Sequence, residues 1–361
     1  MLDAMRLVVF ALSLAVGGIA AAFGCGTILA ISPEPASDAG PDASDAADPG
    51  VPERLASNQP YVYGIALDDT YMYFTSFTEG RLGRIAKAGG AVTNLVEAGT
   101  IPKAGTGLGI DDSYLYVPQY AAAGFGVDRV DIASGRRETV EPANTVFSIA
   151  VDDTYLYYVT SLDGTVAPLV RRLDKSKIDA GTADAFENSR LDGGLGDYAY
   201  DQYGYVALND ARVFWSSSTT VQSLPKSDLQ AEPALAFGSP DAGGDRIAAI
   251  AADADHLYVE AGANLIAIEL LATGMPGTQT ILATGLGTPM DPRAQIVLSG
   301  NDVYFTAPGA GRVARVAKTG GAVTDLATGQ NQPLRLAVDA THVYWSNEGD
   351  ATLWRVARVA R

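Results

Sequence analysis

The chain has 361 residues, 42 of them acidic and 25 basic, for a formal net charge of −17, and it contains one cysteine. A negative field of that size repels phosphate backbones and excludes nucleic acid as a partner. A lone cysteine excludes an intrachain disulfide. Behind an N-terminal segment, roughly 310 residues remain, enough for one large closed domain, and their frequent glycine and proline between short apolar runs point to an all-β chain.

In chain order, the first feature is an uncharged stretch from Leu7 to Ile31, preceded by Arg6. Its apolar core, Leu7 to Ala22, has the size of a signal-peptide hydrophobic region, and Met5-Arg6 offers a positive start free of Asp3. Cys25 follows Ala22-Phe23-Gly24. This resembles the lipobox of bacterial lipoproteins, which implies lipidation of Cys25 as the mature N-terminus. The alternatives are an ordinary cleaved signal ending near Ala20-Ala21-Ala22 and an uncleaved span of 25 uncharged residues, long enough to cross a bilayer. All three place the rest of the chain outside the cytoplasm. Residues 1–25 are thus expected to be a signal peptide or membrane anchor. Residues 26–50 are expected to form a disordered tether, extended by proline and by repulsion among Glu34, Asp38, Asp42, Asp45 and Asp48.

From residue 51 onward the chain repeats itself. An apolar run around a small residue, a turn and an aromatic strand recur, most clearly at Ile65 to Phe74, Ile149 to Tyr158 and Leu336 to Trp345. With the first turn residue as a marker, the copies fall at Asp68, Asp111, Asp152, Asn209, Asp253, Ser299 and Asp339, spaced 43, 41, 57, 44, 46 and 40 residues apart. That period is one four-stranded propeller blade per repeat, and seven markers predict a seven-bladed β-propeller over 51–361, with six or eight blades as the alternatives.

Each strand of the blade has its own signature. Two residues before the marker stand Ala66, Gly109, Ala150, Ala207, Ala251, Val297 and Ala337, six of the seven alanine or glycine, small side chains suited to inner strands that converge on an axis. Five residues after it stand Tyr73, Tyr116, Tyr157, Phe214, Tyr258, Tyr304 and Tyr344, rings placed to pack between blades. Third strands alternate apolar and polar residues, as in Leu82 to Lys87 and Val313 to Lys318. A fourth strand follows a Gly-Gly turn at Gly89-Gly90 and Gly320-Gly321. The last repeat ends after its third strand, and residues 52–57 match the missing outer strand, which predicts closure of blade seven by the N-terminal end of the ring. Nothing else in the chain has a helical period.

The candidate functional residues are few. His256 and His342 both stand three residues after a marker, where Tyr71, Tyr114 and Tyr155 occur elsewhere, and read as strand starts. The marker aspartates read as turn residues that bond their own backbone two residues on. No nucleophile elbow, zincin motif, phosphate loop or paired Cys/His ligand set is present. Two departures from the repeat carry the binding expectation. The 57-residue step contains a loop with Tyr198, Tyr200, Asp201, Tyr203 and Tyr205 among glycines, placed between the outer strand of blade three and the inner strand of blade four. Arg246, Arg293 and Arg335 lead into three successive inner strands and form either a positive patch for a carboxylate, phosphate or acidic sugar, or salt bridges to Asp245 and Asp291.

At Leu336-Ala337-Val338-Asp339 followed by Tyr344-Trp345-Ser346-Asn347, the chain resembles the YWTD repeat, and its wider pattern is similar to NHL and TolB-like propellers. The resemblance implies a recognition surface on a bacterial envelope: a monomeric, non-catalytic binding propeller of the outer membrane or periplasm, or a secreted one. Its expected partners are a protein, peptide or glycan on the ring face and a membrane through the N-terminal anchor. The alternative it implies is a metal-dependent hydrolase, lactonase or lyase, with Asp201, Gln202, Asp245 and Gln295 as the side chains to inspect. No cofactor is expected, and calcium has no D-x-[DN]-x-[DN]-G loop to bind.

Overall fold

The computed structural model describes residues 50–101, 104–119, 126–141, 145–161, 168–180, 186–188, 204–238, 245–271, 275–287 and 294–358. Among them, 28 strands form seven antiparallel sheets of four, and neighbouring sheets touch around a ring. The inner strands are Val62–Leu67, Gly109–Ile110, Thr145–Val151, Val206–Leu208, Ile247–Ala252, Ile296–Ser299 and Pro333–Val338. Each pairs with an aromatic second strand: Tyr71–Ser76, Tyr114–Pro118, Tyr155–Ser161, Arg212–Ser216, His256–Ala261, Asp302–Ala307 and His342–Asn347. Both histidines therefore open strands, as their place in the repeat predicts.

The core is distributed over the seven seams between blades. In each seam, the aromatic residue five after a marker packs into the apolar residues of the following blade. Tyr344 joins Val62, Ile65 and Phe74 across the closure seam, Tyr73 joins Leu115 and Val117, and Phe214 joins Leu257 and Val259. All seven rings are at most 1% exposed; burying each is worth on the order of 2–3 kcal/mol. The ring closes as expected: Glu53–Ala56 pairs antiparallel with Thr352–Ala357. Glu53 and Arg355, opposite one another in that pairing, form an ion pair at 2.7 Å.

Blades one and two approach so closely that their inner strands touch through backbone. The Gly107 N–H donates to the Tyr63 carbonyl at 2.8 Å. A Cβ at Gly64 would lie 2.5 Å from the Gly107 carbonyl oxygen, so only glycine fits there.

One element departs from the all-strand reading. Lys175–Ala180 forms a six-residue helix after the third strand of blade three, started by Asp174, whose Oδ1 accepts the Ser176 N–H at 3.0 Å. A helix this short leaves no periodic trace. It also takes up part of the surplus in the 57-residue step. The Phe186–Asn188 and Val206–Leu208 strands bracket the tyrosine-rich loop as expected, and of its tyrosines only Tyr205 falls within the described residues.

Candidate functional site at the axis of the ring

The two ends of the inner strands differ in chemistry. At the marker end, Oδ1 of Asp68 accepts the N–H groups of Thr70 at 2.7 Å and Tyr71 at 2.5 Å, and the same pair of bonds recurs at Asp111, Asp152, Asn209, Asp253 and Asp339. The turn reading of the markers is thus right, and it is incomplete. Their second oxygen accepts tyrosine hydroxyls, from Tyr73 to Asp68 at 2.6 Å, Tyr116 to Asp111 at 2.9 Å, Tyr258 to Asp253 at 3.2 Å and Tyr344 to Asp339 at 3.1 Å.

A lysine at the end of the next blade's third strand then reaches back across the seam. Lys175 meets Asp111 at 3.1 Å, Lys226 meets Asp152 at 2.9 Å, Lys318 meets Asp253 at 2.8 Å and Lys87 meets Asp339 at 2.9 Å. The exceptions match in pairs. Opposite the neutral Asn209 the corresponding residue is Leu270, and opposite Ser299 it is Arg358, which donates to the Ser299 Oγ at 2.8 Å. Of the marker carboxylates, Asp68 alone faces an apolar counterpart, Ile132. Burial pushes the five marker carboxyls up, but the lysines, the backbone N–H groups and, at Asp68 and Asp111, the tyrosine hydroxyls outweigh it. All five end below the ordinary carboxylate value. This rim is a set of inter-blade clasps. Reasoning from sequence missed it, although a lysine recurring after third strands, at Lys87, Lys175, Lys226 and Lys318, was the visible signal.

From the opposite end, the inner strands line an axial cavity of about 340 Å³ that reaches Leu208, Ala252 and Leu298, the residues just before three of the markers. Its wall is drawn from blades two to seven and consists mostly of alanine and aliphatic side chains, including Ile149, Ala251, Ile296, Val297 and Leu298. Apart from Thr106, its polar side chains, Tyr205 among them, come from one layer. Ser148, Gln295 and Arg335 each stand four residues before their marker, and all three line the cavity. Arg335 is 3% exposed. The Gln295 Oε1 accepts the Leu336 N–H at 3.1 Å, which turns its amide nitrogen into the donor it offers elsewhere. The Ser148 Oγ accepts the Val206 N–H at 3.3 Å.

Of the arginines singled out in the sequence, Arg335 lines this cavity, whereas Arg246 is exposed ahead of the inner strand of blade five. Arg293, Tyr198, Tyr200, Asp201, Gln202, Tyr203 and Cys25 lie outside the described residues. Tyr205 also lines the cavity. Asp245 is exposed and sits over the Gly262 turn, away from Gln295 in the cavity wall. Among the described residues, no three His, Cys, Asp or Glu side chains gather as a metal-binding group, and no helix is long and apolar enough to cross a membrane.

No family model matches this chain, and no curated protein matches its sequence. Solved structures do match in fold. A catalytically inactive histidine-to-alanine variant of virginiamycin B lyase from Staphylococcus aureus, crystallised with quinupristin, has a TM-score of 0.62 at 15% identity, over 86% of this chain and 99% of that one. BamB from Moraxella catarrhalis has a TM-score of 0.52 at 14% identity, over 84% and 85%. A gluconolactonase from Xanthomonas campestris has a TM-score of 0.52 at 12% identity, over 85% and 89%. Identities this low establish a shared fold and leave the chemistry to the residues.

Proposed function

We propose that this chain is a non-catalytic binding propeller held outside the cytoplasm by its N-terminal segment, with Cys25 as the lipidated residue and residues 26–50 as the tether. Its ligand enters the axial cavity at the end of the ring opposite the clasps. The observation that carries this reading is the cavity itself, an apolar wall with Ser148, Gln295 and Arg335 converging in one layer, which is how small-molecule sites are commonly built. The tyrosine-rich loop with Tyr198, Tyr200, Asp201 and Tyr203, together with Arg246 and Arg293, supplies the surrounding face for a protein, peptide or glycan partner. The structural neighbours are compatible with either a binder or a lyase or lactonase. The wall favours the binder, because among the described residues Arg335 and Tyr205 are its only ionisable side chains, and neither group suits metal-assisted hydrolysis.

The test is to equilibrate the purified protein, and a variant whose cavity is filled by Ala251→Leu, with a pool of bacterial metabolites and short glycans. Compounds retained by the natural chain and lost by the variant are the expected result. Retention of none, or divalent-metal-dependent turnover of a pool member, would overturn the reading.

A further inference from the structure

The clasps at the marker end have three parts, and the one between blades six and seven lacks its carboxylate: we propose that a monovalent anion of the size of chloride takes that place beside Ser299. A full clasp joins a marker carboxylate, the tyrosine hydroxyl five residues on and a cation from a neighbouring blade. Asp111 with Tyr116 and Lys175 is one, Asp253 with Tyr258 and Lys318 a second, and Asp339 with Tyr344 and Lys87 a third. Blade six keeps its tyrosine, Tyr304, and faces a cation, Arg358, but its marker is Ser299. The site lies at the marker end and does not rest on the binding reading above.

The first reason is which parts are lost together. In blade four all three are replaced at once: the marker is Asn209, the ring is Phe214, which has no hydroxyl, and the counterpart is Leu270. No donor is left over there. In blade six the carboxylate alone is gone. Tyr304 is 0% exposed, and its hydroxyl is buried without a hydrogen-bond partner. At Asp111, Asp253 and Asp339 the same hydroxyl donates to the marker. A buried donor is costly to leave unpaired, so this one points to an acceptor that the chain itself does not supply.

The second reason is charge. Arg358 donates to the Ser299 Oγ at 2.8 Å, the Asp339 carbonyl at 3.2 Å and the Ser299 carbonyl at 3.3 Å, and all three acceptors are neutral. The carboxylates close by are engaged elsewhere, Asp339 with Lys87 and Tyr344, and Asp302, opposite Ser299 in the hairpin, with Arg315 at 3.4 Å. The Arg358 guanidinium carbon stands 5.4 Å from the centre of the Tyr304 ring. The Lys226 ammonium stands 5.4 Å from the Tyr157 ring in the clasp to Asp152, so cation and ring keep the spacing of a clasp that has its carboxylate. Water would pair the Tyr304 hydroxyl and leave the guanidinium without a counter-charge; an anion serves both. Serine in place of aspartate frees only the room of the carboxylate oxygens, which suits a halide, whereas sulfate is larger and brings a second charge to be desolvated. Ser299 and Arg358 are half-buried, and the ion enters from solvent as the long Arg358 side chain shifts.

The experiment is thermal unfolding of the purified full chain at fixed ionic strength, with sodium methanesulfonate replaced stepwise by sodium chloride. Chloride binds the folded ring alone and is expected to raise the melting temperature by about 2 °C at ten times its dissociation constant. Ser299→Asp supplies the carboxylate within the chain. That variant should melt above the natural protein in methanesulfonate and lose the chloride response. Crystals soaked in sodium bromide should show the anomalous signal of bromide between the Tyr304 hydroxyl and the Arg358 guanidinium. The proposal is overturned if chloride leaves the natural protein's melting unchanged, if Ser299→Asp responds to chloride as the natural protein does, or if bromide is absent from that place. Should Ser299→Asp fail to fold, Arg358→Gln replaces it: loss of the chloride response supports the site, and an unchanged response removes it.

Discussion

Glu260 is the least comfortable side chain in the ring, and replacing it should make the protein more stable at neutral pH. It lies in the second strand of blade five, is 2% exposed, and its Oε2 has no hydrogen-bond partner. In three other blades the same position, seven residues after the marker, holds a hydroxyl that ties down an inner strand. Ser216 accepts the Tyr205 N–H at 3.0 Å, Thr306 accepts the Gln295 N–H at 2.9 Å, and Ser346 accepts the Arg335 N–H at 3.2 Å. Burial pushes the Glu260 carboxyl up to about 8 from 4.5, and the positive charge of Arg312 offsets only part of that. A folded-state value above the unfolded one means that folding takes up a proton. The group costs nothing below about pH 4.5, costs progressively more as pH rises toward 8, and holds its full penalty above that. At about 1.4 kcal/mol per unit, the penalty is about 3 kcal/mol at pH 7 and about 5 kcal/mol at pH 9.

Glu260→Gln removes the ionisation and keeps the shape, so the difference in stability between variant and natural protein isolates this one group. Urea unfolding followed by tryptophan fluorescence at pH 5, 7 and 9 should give a difference that grows across the series, whatever constant offset the buried amide adds. Parallel stability curves over that range would refute the reasoning, since they would show that Glu260 ionises as easily in the ring as in the unfolded chain.

Deleting residues 51–58 removes the closing strand and its buried Leu55, and should lower the melting temperature of the whole ring; unchanged melting would disprove closure by this strand. Lys87→Met breaks the clasp to Asp339 across the same seam and should cost about 2 kcal/mol in denaturant unfolding at pH 7. Because the marker carboxyls are depressed in the folded state, their contribution is complete above about pH 4 and is lost as pH falls through their folded values. The Lys87→Met and natural proteins should therefore converge in strong acid. Gly64→Ala forces a Cβ against the Gly107 carbonyl and should destabilise by about 1–3 kcal/mol, read by the same assay.

The repeat made the architecture legible because each blade solves the same packing problem with the same residue types. The ring at marker plus five must fill a seam, and the alanine at marker minus two must clear an axis, so both recur and both are found where expected. What escaped were pairings between residues in different blades. Lys87 and Asp339 are 252 positions apart in the chain, and neither looks unusual alone. The six-residue helix was invisible for want of length. Arg335 was noticed because an arginine is conspicuous before an aliphatic strand. Gln295 was visible as a side chain to inspect for a metal, but its place in one layer with Arg335 emerges only when the blades are aligned four residues before their markers.

The two ends of the inner strands are tied by different chemistry. The four lysine clasps are made at the marker end, where each lysine is matched to a carboxylate. The opposite ends of the inner strands are tied by neutral groups, the hydroxyls of Ser216, Thr306 and Ser346 on backbone N–H donors. Glu260 fits this arrangement. Its register partner, Ala249, lines the cavity, so an ionised carboxylate there would set a negative charge one strand behind the binding wall. Burial keeps most of that carboxyl protonated at neutral pH. The same desolvation that makes Glu260 costly to fold thus keeps a negative charge from forming one strand behind the cavity wall at neutral pH.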